Sequence, residues 1–132
     1  DFTACVSMDN TENPKDIKTF AGALKYSIET LLSAYPHLKI FVCSQTYRFR
    51  MDADGVYTTD SDIRANEKGF KLPDYVQKTK EVAKDYHLPF INNYNIGMSK
   101  FTRSVYFSPT DGTHPIQAGC DLIASNIAKE LF

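Results

Sequence analysis

The sequence predicts an α/β domain in which helices cover both faces of a parallel sheet. Three observations support this class: segments with helical periodicity alternate with short apolar runs, the alternation continues along the chain, and no repeat or low-complexity tract interrupts it. Strands that alternate with helices are parallel and are joined by right-handed crossovers. With 132 residues, 42% of them hydrophobic, the chain has the size and composition of one domain, and we expect residues 1–132 to form it.

The first predicted helix begins at Asn13-Pro14, where Asn caps the helix and Pro takes the first helical position. Its apolar stripe continues to about Ala34. The nearly continuous apolar run from Leu38 to Ser44 predicts a strand that is buried on both faces. No period holds from about Tyr47 to Leu72, so we expect a long loop there.

A second predicted helix begins at Pro73 and carries apolar residues along one side as far as Tyr86. The segment from His87 to Asn93 predicts a second strand, and residues Gly97 to Thr110 are predicted to form a loop. A third helix, beginning at Pro115, follows this loop. The order is therefore helix, strand, helix, strand, helix.

Two strands are too few for such a sheet to stand alone. We therefore expect a further strand, either from the residues before Asn13 or from chain outside these 132 residues, and an incomplete domain. The strand that contains Ile40 to Cys43 would then have an open edge. We expect this edge to allow self-association or pairing with a missing N-terminal half.

Composition argues against several classes of function. The formal net charge is −1 and Lys and Arg form no stripe, so we expect no nucleic-acid partner. No apolar run approaches the ~20 residues that span a bilayer, and no signal peptide is visible, so we expect a soluble protein. The cysteines, Cys5, Cys43 and Cys120, lack metal-ligand spacing, and the last two are predicted to be buried thiols.

Asp111-Gly-Thr-His114-Pro115, directly ahead of the third helix, is the clearest chemical motif. A carboxylate three residues before an imidazole can accept a hydrogen bond from one ring nitrogen. The other nitrogen is then in the tautomer that takes a proton from a nucleophile. A structural alternative exists, because Asp-Gly suits a tight turn and His-Pro suits a helix entry. Ser44 and Ser99 are the serines closest to a nucleophile's setting, but neither lies in a recognisable activated turn.

This motif, with Gly119 in the helix that follows, resembles the last motif of the SGNH hydrolases, also called GDSL esterases and lipases. That motif is Asp-x-x-His, usually followed by Pro. The helix that ends at Tyr35-Pro36 and the strand after it resemble the segment after the family's third motif, Gly-x-Asn-Asp, of which Asp1 would be the last residue. The Gly-Asp-Ser turn with the nucleophile, and the Gly and Asn of the oxyanion hole, are absent from the sequence. The chain thus resembles the C-terminal portion of such a domain.

The resemblance implies a flavodoxin-like three-layer α/β/α fold, incomplete in this chain, and ester hydrolysis through a serine acyl-enzyme. His114 would act as general base and then as general acid, and Asp111 would orient it. The substrate would be a small-molecule or carbohydrate ester, with a carbohydrate O-acetyl group as the first expectation, and no metal or organic cofactor is needed. Ser44 and Tyr47, just after a predicted strand, are candidate substrate-binding residues, because ligands bind beyond the carboxyl ends of such strands.

Other interpretations stay open. Without the nucleophile this chain alone should hydrolyse little, and it could be a carbohydrate-binding or structural module derived from such a hydrolase. A nucleotide or flavin binder is less well supported, because no Gly-rich phosphate loop joins a strand to a helix. A metal site would need a third ligand beside Asp111 and His114, and His37 and His87 lie at strand entrances instead. The acidic residues between positions 52 and 60 lack the Glu that completes a calcium loop.

Overall fold

The computed structural model describes residues 6–51 and 57–131, and Cys5 lies outside them. The fold is mixed α/β with a small parallel sheet, as the sequence predicts. The helices among these residues are α1 (Phe20–Ala34), α2 (Leu72–Asp85), α3 (Arg103–Tyr106) and α4 (Gln117–Leu131), and the strands are β1 (Val42–Cys43), β2 (Phe49–Met51), β3 (Tyr57–Asp60) and β4 (Phe90–Ile91).

Contacts divide the chain into two compact units. Unit 1 consists of Asp1–Cys43 and Ala65–Phe90, and unit 2 consists of Ser44–Arg64 and Ile91–Phe132. That residues 1–132 form one domain stays a prediction. None of the helices in the described part of the chain combines the length and the apolar character needed to cross a membrane.

Strands β1 and β4 form the parallel sheet. The Val42 N–H donates to the Pro89 carbonyl and the Ser44 N–H to the Ile91 carbonyl, each at 2.9 Å. The acceptors advance in the same direction as the donors, which is the pattern of parallel strands. Among the described residues this sheet has two strands, fewer than a sheet of this kind needs to stand alone.

Strand β1 is buried on one face only. Val42 is 6% exposed and packs into a cluster with Ala21 and Ile28 of α1 and Val82 and Ala83 of α2. Successive side chains of a strand point to opposite faces, and Cys43 is exposed. The predicted burial of both strand faces is therefore wrong within the described residues, and so is the prediction that Cys43 is a buried thiol.

Helix α1 begins six residues later than the predicted start at Asn13-Pro14. The N-cap is Thr19, whose side chain accepts a hydrogen bond from the Gly22 N–H at 3.1 Å. Before it the chain forms turns, in which the Asp16 N–H donates to the Asn13 carbonyl. Asn13 therefore begins a turn that closes at Asp16, and the helical spacing of residues ahead of Thr19 is accidental.

Helix α2 agrees with the prediction to within one residue at its start and its end. Pro73 lies in its first turn, and the Lys71 N–H donates to the Asp74 carboxylate at 2.7 Å. The helix ends in a Schellman motif: the His87 N–H donates to the Lys84 carbonyl at 3.0 Å, and the Leu88 N–H to the Ala83 carbonyl at 2.9 Å. His87 has a φ of 54°, the left-handed conformation that this motif usually gives to glycine.

Unit 2 contains an antiparallel hairpin that the sequence analysis missed. Strands β2 and β3 pair with Phe49 opposite Asp60 and Arg50 opposite Thr59, and the register shifts between Arg50 and Met51. The prediction of a loop from Tyr47 to Leu72 is therefore wrong over these two strands. The signal was present, because Asp54-Gly55 is a hairpin-turn dipeptide and a β-branched pair follows it.

The core of unit 2 is aromatic. It consists of Tyr47, Phe49, Met98 and Phe107, with Leu122 and Ile123 of α4 partly buried against them. Helix α4 begins two residues after the predicted Pro115. Its buried residue is Gly119, and Cys120 next to it is exposed, so the prediction of a buried Cys120 is also wrong. The predicted loop from Gly97 to Thr110 contains a 3₁₀ turn, Lys100–Thr102, and the short helix α3.

Replacing His87 by glycine should stabilise the protein. A non-glycine residue in the left-handed conformation carries steric strain of about 1 kcal/mol, and His87→Gly removes this strain while leaving both hydrogen bonds of the motif in place. We expect a rise of roughly 0.5–1 kcal/mol in the free energy of unfolding, measured by urea denaturation. The control is His37→Gly, at another exposed histidine whose backbone is not left-handed. A lower stability for His87→Gly would contradict this account of the helix end.

Candidate active site

Asp111 and His114 meet as the motif predicts. The distance between His114 Nδ1 and Asp111 Oδ2 is 2.7 Å. An ionised carboxylate can only accept hydrogen bonds, so the hydrogen of this contact belongs to Nδ1. In the neutral ring Nε2 then has no hydrogen and can act as a base. This is the tautomer that a general base requires.

The same carboxylate closes the turn. Asp111 Oδ1 accepts hydrogen bonds from the backbone N–H groups of Thr113, at 2.7 Å, and His114, at 3.0 Å. The hydrogen bond from the His114 N–H lowers the pKa of the Asp111 carboxyl most, and the imidazole and the Thr113 N–H lower it further, from 3.8 to about 2. The Asp111 carboxyl is therefore ionised at neutral pH.

The imidazole is accessible. The His114 side chain is 79% exposed, and the Asp111 side chain is 40% exposed. Within the described residues no side chain hydrogen-bonds Nε2. A reacting group, whether from substrate or from another protein segment, can therefore approach this nitrogen directly.

The hairpin holds the turn through Phe49. The Thr113 hydroxyl donates to the Phe49 carbonyl at 2.9 Å. Gly112 has a φ of 66°, and a Cβ at this position would lie 2.4 Å from Cε2 of the Phe49 ring. The backbone of the turn thus rests on the ring, and only glycine satisfies both the left-handed conformation and the close approach.

A short antiparallel pairing connects the turn to the segment that precedes it. Phe107 and Pro115 form an isolated bridge. On one side of it the Ser108 N–H donates to the His114 carbonyl at 2.8 Å, and on the other the Ile116 N–H donates to the Tyr106 carbonyl at 2.9 Å. His114 therefore sits on a backbone that is fixed from two directions.

Gly119, the motif's downstream glycine, brings α4 close to the same segment. A Cβ at Gly119 would lie 2.5 Å from the Tyr106 carbonyl oxygen and 2.9 Å from Cβ of Pro115. A side chain would push the helix away from the turn that carries His114. Close packing therefore explains why the motif has a glycine at this position.

Ser44 and Tyr47 lie in the interior of unit 2. The buried Ser44 hydroxyl accepts a hydrogen bond from the Asn93 N–H at 2.8 Å and donates to the Gln45 carbonyl at 3.0 Å. The Tyr47 ring, 4% exposed, packs against Phe49, the residue that supports the turn carrying His114. Their predicted role in substrate binding stays a prediction.

Ser99 and the two other histidines have separate positions in the structure. The Ser99 hydroxyl caps the 3₁₀ turn, where it accepts a hydrogen bond from the Phe101 N–H at 3.2 Å. His37 and His87 are exposed residues of unit 1. Over residues 6–51 and 57–131, no three His, Cys, Asp or Glu side chains cluster so that they could hold a metal ion.

No protein-family model matches the chain, and no curated protein matches its sequence. Solved structures do match. One crystal structure has 29% sequence identity and a TM-score of 0.82, and the match covers 99% of this chain and 59% of that one. The esterase domain of the ZfL2-1 ORF1 protein from a zebrafish retrotransposon has 26% identity and a TM-score of 0.60, covering 83% of this chain and 55% of that one. A protein described as a possible lipase, from Chitinophaga pinensis, has 15% identity and a TM-score of 0.73, covering 98% of this chain and 67% of that one.

These neighbours give the chain an esterase/lipase-like hydrolase fold, consistent with an SGNH/GDSL-like hydrolase. The resemblance stated from the sequence is confirmed at the level of the fold. The chain spans about 59% of the length of the first of these structures and 55% of the esterase domain.

The Asp111 carboxyl should titrate far below an ordinary aspartate. Its hydrogen bonds favour the ionised form, so the contribution of Asp111 to stability is present above the ordinary pKa of 3.8 and is lost as the pH falls towards about 2. Carbon-13 NMR of the side-chain carboxyl of the folded protein should give a midpoint near 2. The same resonance in the urea-unfolded protein is the control and should titrate near 3.8. A folded-state midpoint at the control value would show that the turn does not form these bonds.

Alanine at position 112 should cost more than alanine at another left-handed glycine. Gly69 has a φ of 82° and open space around it, so Gly69→Ala measures the backbone strain alone. Gly112→Ala adds the clash with the Phe49 ring, and we expect a loss of about 2–4 kcal/mol in the free energy of unfolding. Urea denaturation of both variants measures the difference. Equal losses would mean that the ring does not support the turn.

Proposed function

We propose that this chain supplies the acid–base part of the active site of an SGNH-type serine esterase. The observation that carries the proposal is the hydrogen bond between His114 Nδ1 and the Asp111 carboxylate, which leaves an accessible Nε2 at a helix entry. The esterase/lipase-like fold of the neighbours supports it. Asp111 is the orienting carboxylate, and His114 is the group that moves protons.

The reaction we propose uses a serine outside these 132 residues, in the part of the neighbours' length that this chain does not span. The serine oxygen attacks the carbonyl carbon of the ester while its proton passes to His114 Nε2. The tetrahedral intermediate then collapses, the carbon–oxygen bond to the alcohol breaks, and Nε2 returns the proton to the leaving alcohol. Water then attacks the acyl-enzyme carbonyl while one of its protons passes to His114 Nε2. The second tetrahedral intermediate collapses, the bond to the serine oxygen breaks, and Nε2 returns the proton to that oxygen as the carboxylic acid leaves.

Asp111 remains ionised throughout this cycle. Its carboxylate holds the Nδ1 hydrogen, so Nε2 faces the nucleophile, and its charge stabilises the imidazolium that forms after proton transfer. The low pKa of Asp111, about 2, suits this role because a carboxylate that took the proton could not stabilise the cation. The chemistry needs no metal ion and no organic cofactor.

The serines predicted as alternatives have other structural roles. The Ser44 hydroxyl is buried and joins the ends of β1 and β4 through the Asn93 N–H, and Ser99 caps a turn. A nucleophile needs an exposed hydroxyl with a base beside it. These placements support a nucleophile contributed by another part of the protein.

Probe labelling and substitution of His114 together test the proposal. The protein from its natural source, treated with a fluorophosphonate probe and digested, should give one labelled serine peptide. In that protein His114→Asn should lower kcat/KM for p-nitrophenyl acetate by about 10³-fold or more, and Asp111→Asn by about 10²- to 10⁴-fold, because each removes part of the proton-transfer path.

The matched control is His37→Asn, which changes an exposed histidine of unit 1 and should leave kcat/KM unchanged. Circular dichroism of each variant checks that it is folded. The alternative, a carbohydrate-binding or structural module, predicts no labelled serine and no hydrolysis for His114→Asn to reduce. That result would overturn the esterase proposal.

A further inference from the structure

A cavity of about 410 Å³ opens in unit 2 beside the catalytic turn. The lining includes edges of two largely buried rings, Phe49 and Phe107, each 2% exposed, and their centroids are 5.2 Å apart in an edge-to-face contact. Pro109 and Ile116 extend the apolar lining towards solvent. The cavity is thus lined mainly by hydrocarbon and has the size of a small-molecule site.

The cavity and the dyad share one piece of backbone. Ser108, which lines the cavity, donates its N–H to the His114 carbonyl at 2.8 Å. Ile116, which also lines it, lies two residues after His114 and directly after the bridge residue Pro115. A group bound in the cavity would therefore lie next to the segment that presents the imidazole.

The polar residues of the lining lie on α3. Arg103 and Ser104 are both exposed, and the hydrocarbon stem of Arg103 can contribute apolar wall. Among the residues that the structure describes, no acidic side chain lines this cavity. An apolar group that enters from solvent would therefore not remove water from a carboxylate among these residues.

We propose that this cavity binds the acyl chain of the ester substrate, and that the chain is apolar and several carbons long. The inference rests on the proposed function. An acetyl group carries a single methyl and would leave most of the space empty, which argues against the carbohydrate O-acetyl group expected from the sequence. A sugar ring needs an open aromatic face for stacking, and Phe49 and Phe107 leave little ring surface exposed.

Binding of free fatty acids to this chain tests the proposal without catalysis. Isothermal titration calorimetry with sodium acetate, hexanoate and octanoate should show affinity that increases roughly two- to fourfold for each added methylene, because each buries apolar surface. Equal affinity for acetate and octanoate would overturn the proposal. So would tighter binding of methyl glucoside than of octanoate, because the cavity would then be a sugar site.

Substitution on α3 locates the binding. Ser104→Phe places a ring in the cavity and should weaken octanoate binding about tenfold, the loss that excluding two methylenes would cause. The matched control is Val105→Phe at the next residue, which is half-exposed and outside the lining, and which should change affinity less than twofold. Ile116→Ser, which removes apolar wall without adding bulk, should weaken octanoate binding severalfold. Unchanged affinity in both Ser104→Phe and Ile116→Ser would contradict the assignment.

Failure of this proposal is distinguishable from failure of the proposed function. If octanoate binds as described but no serine is labelled, the apolar site stands and the esterase proposal fails. If His114→Asn abolishes hydrolysis but octanoate binds no better than acetate, the esterase proposal stands and the acyl site is wrong. His114→Asn should itself leave octanoate binding unchanged, because the imidazole is not part of the lining.

Discussion

The Asp111 carboxylate is the group on which the arrangement of the site depends. Its Oδ1 accepts the two backbone N–H groups that close the turn, and its Oδ2 accepts the imidazole hydrogen. One carboxylate therefore fixes both the shape of the backbone and the tautomer of His114. The two functions use different oxygens of one group, so the hydrogen bonds that close the turn also place Oδ2 beside the ring. The low pKa of Asp111 follows from the same hydrogen bonds, so the geometry of the turn keeps this carboxylate charged.

The turn in its own right needs support, and a residue with no chemical role provides it. Phe49, on β2, accepts the Thr113 hydroxyl at its carbonyl and places its ring against Gly112. The ring also packs against Tyr47 and Phe107, so the aromatic core of unit 2 continues to the turn that carries His114. A rigid support of this kind matters for catalysis, because proton transfer depends on a distance that a small displacement would spoil. The hairpin is thus part of the site's construction, although it contributes none of the groups that react.

The sequence predicts most accurately those structural features that depend on residues close together in the chain. Asp111 and His114 are three residues apart, and the hydrogen bond between them needs only the local turn, so the motif was enough to predict it. Helices α2 and α4 were placed to within two residues because Pro73 and Pro115 mark their starts. The start of α1 was missed because the helical spacing of residues before Thr19 belongs to a series of turns. The exposure of Cys43 and Cys120 and the position of the cavity depend on which segments pack together, and a single sequence contains little of that information.

The cavity and the Asp111–His114 dyad share one segment of backbone, so binding of the acyl chain and positioning of the imidazole would be connected. Contacts between an acyl chain and Phe107 or Ile116 would be equally strong before and during the reaction, so on their own they would improve binding without speeding the chemical step. They would accelerate the reaction only by holding the ester carbonyl at a fixed distance from the nucleophile that His114 activates. The pairing of Ser108 with His114 supplies such a connection, because the wall of the cavity and the backbone of the base cannot move independently. On the proposed function, the segment that positions His114 would therefore also contact the acyl chain. Selectivity for the length of that chain would then need no second binding site.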